Sequence, residues 1–161
     1  MPEQEHEAFS IHAVALMPLI CERLAAGQTV RGLTFQGVSM LPMLRQGRDN
    51  VELTRLPAKL KKYDLPVYRG VDGTYVMHRV VDVQEDCYIC LGDNTYRYER
   101  VSPERMVALV CAFTRNGRRV SVKHRGYQLY CRVWVAAYPV RRFLKRVQWW
   151  IAHRVKHMMK R

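Results

Sequence analysis

Between residues 30 and 122 the chain alternates short runs of β-forming residues with turn residues, which points to many short strands and leaves no room for long helices. The runs are Val30–Phe35, Asn50–Leu53, Leu65–Tyr68, Tyr75–Val83, Cys87–Leu91, Met106–Thr114 and Arg119–Val122. Asp72-Gly73 separates the third run from the fourth, and Asn116-Gly117 separates the last two. Both dipeptides suit tight hairpin turns that need positive φ. Residues 29–122 are therefore expected to form a mainly β domain, with no internal repeat.

The flanks read differently. In residues 1–28, Val14, Met17, Cys21 and Leu24 recur at helical spacing and Gly27 supplies a stop, so a short N-terminal helix is expected, started or bent at Pro18. In residues 123–161, Val140, Phe143, Leu144, Val147, Ile151, Val155 and Met158 follow a helical period. Arg141, Arg142, Lys145, Arg146, Lys156 and Lys160 fill much of the remainder, with Trp149 and Trp150 between them. This predicts a basic amphipathic C-terminal helical tail.

Charge separates the same regions. Residues 1–104 carry 12 Lys/Arg against 14 Asp/Glu, whereas residues 105–161 carry 15 Lys/Arg and no acidic residue. Such a segment attracts a polyanion. Its amphipathic period and aromatics favour peripheral contact of 138–161 with a membrane interface over nucleic acid. The plainer reading is a core-packing helix with a solvated basic face.

The five cysteines are odd in number and irregularly spaced, which argues against a disulfide framework and suits a reducing, cytoplasmic setting. Cys87 and Cys90 form a C-x-x-C on an expected strand, where their side chains point to opposite faces, a poor arrangement for a shared metal. No metal or cofactor is expected. The apolar stretch Phe9–Cys21 is too short to span a bilayer, and its acidic start is unlike a secretory signal.

Three segments carry chemistry. Gly37-Val38-Ser39-Met40-Leu41-Pro42 is an expected loop in which Ser39 is a nucleophile only if a base stands nearby. His78, in the run Tyr75–Val83, is either a core histidine or a neutral imidazole acting as that base. Asp93, in Leu91-Gly92-Asp93-Asn94, either forms a turn or orients the imidazole as the acid of a triad. Glu99 is a further acidic group near this segment. Lys59, Lys61 and Lys62 are alternative bases that read better as a solvated run.

Together these segments resemble the boxes of type I signal peptidases and the related S24/S26 peptidases. Gly37-x-Ser39-Met40-x-Pro42 is similar to the nucleophile box, and Met77-His78-Arg79-Val80-Val81 to the second box. There His replaces the bacterial lysine, as in the endoplasmic-reticulum and archaeal branch. Gly92-Asp93-Asn94 is similar to the third box. The similarity covers about residues 30–115. It departs at Gly47-Arg48-Asp49 and Tyr63-Asp64, where Gly-Asp is usual, and in the anchor helix, which narrows it to the compact, anchor-less members.

The resemblance implies a signal peptidase-like coiled β-sheet and a serine endopeptidase acting on a peptide or precursor protein. In it Ser39 is the nucleophile and His78 the base, Asp93 is the orienting acid, and the backbone N–H groups of Ser39 and Met40 hold the oxyanion. The competing function is a non-catalytic β-domain that docks on a membrane or nucleic acid through its basic tail.

Overall fold

The computed structural model describes residues 7–144, 146 and 147. It is mainly β, with nine strands and a helix at each end of the strand series. The expected helical positions Lys145, Trp149, Trp150, Ile151, Val155, Lys156, Met158 and Lys160 lie outside the described residues.

Helix α1 (Glu7–Ala25) continues past Pro18, which does not start it. Met17, Ile20 and Leu24 are buried while Leu16 and Leu19 are exposed, so one stripe faces the sheet. Gly27, at φ +76°, ends the helix as its sequence position predicts, and Gln28 N–H closes back on Arg23 O at 3.0 Å.

The larger sheet has the order β1 (Val30–Thr34), β2 (Asn50–Thr54), β8 (Met106–Arg115), β3 (Pro66–Arg69), β4 (Tyr75–Met77), with β9 (Arg118–Ser121) also paired to β8. All pairs are antiparallel. Central β8 alternates buried and half-buried residues over most of its length, as a strand packed on one face should. Asn116 and Gly117 adopt φ +50° and +75° in the β8–β9 turn, the geometry their dipeptide predicts. Although β1 and β4 stand at opposite ends of the strand order, both line one apolar cavity of about 330 Å³, so the sheet curls back on itself.

The second sheet is β5 (Arg79–Val83), β6 (Tyr88–Leu91) and β7 (Glu99–Val101). Here the expected strand Tyr75–Val83 is corrected. Met77 pairs with Val67 in the first sheet, whereas Arg79 pairs with Leu91 in the second. The chain must exchange partners at His78, and the strand breaks there.

Helix α2 (Arg125–Ala136) is capped by His124, whose ring accepts the Gly126 N–H at 3.2 Å. Its Tyr127 and Cys131 enter the main core with Met17, Met43 and Phe113. The first part of the C-terminal segment is thus core structure on one face. Residues 138–144, 146 and 147 are helical as well.

Candidate active site

Ser39 sits in the loop that leaves β1. Gly37 adopts φ +94°, a conformation open to glycine, and its N–H donates to Gln46 Oε1 at 2.9 Å. Met40, Met43 and Leu44 are buried and pin the far side of the loop in the core. Asp49 closes its base by accepting Arg45 N–H at 2.9 Å. Ser39 is left half-buried on the wall of a cleft of about 430 Å³. Its N–H and that of Met40 have no acceptor among the described residues.

His78 lines the same cleft from the break between β4 and β5. Its Nδ1 lies 3.0 Å from Glu99 Oε1 and 3.0 Å from the Tyr68 hydroxyl. Tyr68 donates its proton to Glu99 Oε2 at 2.7 Å. Burial, and then the Glu99 carboxylate, push the Tyr68 phenol well above its ordinary pKa, so it remains a donor. With both carboxylate oxygens held this way, the proton of a neutral imidazole belongs on Nδ1, facing Glu99, and the lone pair on Nε2.

Nε2 points toward Gly92. A Cβ at that position would stand 2.9 Å from His78 Nε2 and 2.8 Å from the Ser39 carbonyl oxygen. His78 Nε2 and the Ser39 loop therefore face each other across a space that only glycine leaves open. Asn94 clamps the other side: its N–H donates to Ser39 O at 2.7 Å and its amide to Val38 O at 3.2 Å. No hydrogen bond joins Ser39 Oγ to His78 Nε2.

Asp93 does not face His78, and its expected place as the triad acid is corrected. It is buried, with Oδ1 accepting from Arg79 Nε at 2.9 Å and Oδ2 from Arg79 Nη2 at 2.8 Å and from the Tyr130 hydroxyl at 3.1 Å. Arg79, at 0% exposure, also donates to the Tyr127 hydroxyl at 2.9 Å and lies against Met43 Sδ at 3.0 Å. Burial works against the Arg79 charge, but the Asp93 carboxylate outweighs it and holds the guanidinium above its ordinary pKa. Both oxygens of Asp93 are thus committed to Arg79 and Tyr130 in an enclosed pair, and no hydrogen bond joins Asp93 to His78 among the described residues.

The carboxylate at His78 is Glu99, brought there by the register of β6 and β7, in which Cys90 pairs with Glu99. Tyr68 was not singled out by the sequence at all, because it reads as one more strand residue. The three lysines Lys59, Lys61 and Lys62 are not among the residues lining the cleft. Cys87 and Cys90 are free thiols, and burial pushes the Cys90 thiol up to about 12. Among the described residues no cluster of His, Cys, Asp and Glu could hold a metal ion, and no helix is long and apolar enough to cross a membrane.

No family model, no curated protein and no solved structure matches the chain.

Proposed function

We propose that the protein is a serine endopeptidase of the signal peptidase-like, S24/S26 kind, with Ser39 as nucleophile, His78 as general base and Glu99 as the acid that orients it. One observation carries the reading. His78 Nε2 and the Ser39 loop meet across Gly92 in a cleft, while Nδ1 is held by a carboxylate. That is the donor and acceptor order a hydrolytic triad needs.

In the mechanism, Ser39 Oγ attacks the substrate carbonyl as His78 Nε2 takes its proton. The imidazolium is stabilised through Nδ1–H by Glu99, whose other oxygen is held by Tyr68. The oxyanion accepts hydrogen bonds from the Ser39 and Met40 N–H groups, an arrangement whose donors are each worth about 3–4 kcal/mol at the transition state. Collapse breaks the C–N bond, and Nε2 returns the proton to the leaving amine. Water, activated by the same nitrogen, then cleaves the acyl ester. β4 lines the cleft and, as the last strand in the order of its sheet, offers an edge to an extended peptide or precursor-protein segment.

The test is labelling by a fluorophosphonate probe with mass-spectrometric mapping, beside cleavage of a diverse peptide library. The expected result is modification at Ser39 and cleavage that disappears in Ser39→Ala and His78→Ala while both variants stay folded. Library cleavage that persists in Ser39→Ala removes Ser39 from the mechanism.

A further inference from the structure

The C-terminal helical segment has two apolar faces, and among the described residues only one is covered. Helical hydrogen bonding continues beyond α2, since Ala137 N–H reaches Val133 O at 2.9 Å and Arg141 N–H reaches Ala137 O at 3.0 Å. Tyr127, Cys131 and Tyr138 occupy the buried side. On the opposite side Leu129, Val133, Val140, Phe143, Leu144 and Val147 are all exposed, Phe143 to 65%. Projected along a regular helix these six fall in a sector roughly 100° wide, over roughly 27 Å of axis.

Arg132 and Arg146 are exposed beside one border of that stripe. No carboxylate occurs anywhere from residue 105 onward to balance them. We infer that this outer face docks on an anionic lipid bilayer, with the stripe among the acyl chains and the arginines on headgroup phosphates. The charge pattern selects the occupant. A second copy paired through the same stripe would bring two unbalanced arginine borders together. A bilayer with anionic headgroups satisfies the apolar stripe and its cationic border at once.

This inference does not rest on peptidase activity. It is tested by flotation of the full chain with vesicles of phosphatidylcholine alone and of phosphatidylcholine mixed with phosphatidylglycerol. Wild type should float with the mixed vesicles, less with phosphatidylcholine alone, and less again in high salt. The double substitution Val140→Ser with Phe143→Ser changes only exposed positions, and should weaken binding by about tenfold or more with the circular-dichroism spectrum unchanged. Ser39→Ala should bind as wild type does, which separates this result from the catalytic one. Absence of binding to the mixed vesicles overturns the inference, as does binding that the double substitution leaves unchanged. A solution dimer that the double substitution dissociates, without vesicle binding, overturns it in favour of a second copy.

Discussion

Glu99 and Asp93 are both carboxylates near the cleft, yet their surroundings assign them opposite work. Glu99 keeps 39% of its side chain exposed and spends its oxygens on His78 and Tyr68. Asp93 is enclosed and neutralises Arg79. Replacing Glu99 by Gln keeps the shape but turns the imidazole toward the wrong tautomer, so kcat should fall about 10³–10⁴-fold while the thermal midpoint stays near that of wild type. Replacing Asp93 by Ala strands a buried guanidinium, and urea titration should show a loss of about 3–5 kcal/mol in folding stability. If the two outcomes exchange places, Asp93 is the triad acid after all. Ser39 and His78 were legible in the sequence as candidates, through the resemblance of three ordered segments to the boxes of a peptidase, and the structure brings both to one cleft. The acid was not, because Gly-Asp-Asn reads equally well as a turn, and Glu99 reaches His78 only through the long-range register of β6 and β7.

At the scale of elements, the site exists because β4 and β5 belong to different sheets. Local pattern predicts one strand through Tyr75–Val83, since both halves are β-formers and nothing between them is a turn residue. The break at His78 is imposed from outside, by Val67 on one side and Leu91 on the other. The segment Tyr63-Asp64 reinforces it: Tyr63 N–H donates to Val80 O at 2.7 Å and Val80 N–H to Asp64 O at 2.9 Å. The hairpin dipeptides were legible for the opposite reason, as the conformation they need is local. Gly92 belongs with the elements it separates. An added methyl would press on the Ser39 backbone oxygen, which has no flexible end to give way, and on Thr95 Cγ2 at 2.8 Å. Gly92→Ala should therefore lower kcat/KM by about 100-fold, the scale of an ångström-sized misplacement, while the protein still folds. Activity equal to wild type would show that the Ser39 loop and His78 do not work across this gap.

For the whole molecule, Arg79 is the joint that ties the site to the C-terminal helix. It meets Met43 of the Ser39 loop, Asp93 beside the Asn94 clamp, and Tyr127 of α2, while Trp134 Nε1 and Arg141 Nη1 donate to Asp93 O at 3.0 and 2.7 Å. The sequence marked this C-terminal stretch by its charge, but not the aromatic face that enters the core, because tyrosine spacing alone does not say which partner covers it. A second set of ion pairs, between Glu52 of β2 and both Arg31 of β1 and Arg119 of β9, contributes to the acid sensitivity of the fold. Glu52 accepts from Arg119 at 2.7 and 2.8 Å, and those hydrogen bonds hold its carboxyl below the ordinary value of 4.5 despite burial. A carboxyl depressed in the folded state contributes stability that is complete above its unfolded pKa and is lost as pH falls through the folded one. Asp64 acts in the reverse sense. Burial raises it above 3.8, so it binds its proton first in the folded chain and partly offsets the acid loss. Thermal melts of wild type and Glu52→Gln at falling pH should therefore differ most near neutrality and converge as the pH drops through the depressed folded-state pKa of Glu52. Asp64→Asn should instead steepen the decline of wild type over the same interval. Parallel melting curves for wild type and Glu52→Gln at every pH would show that the Glu52–Arg119 pair adds nothing to the acid sensitivity of the fold.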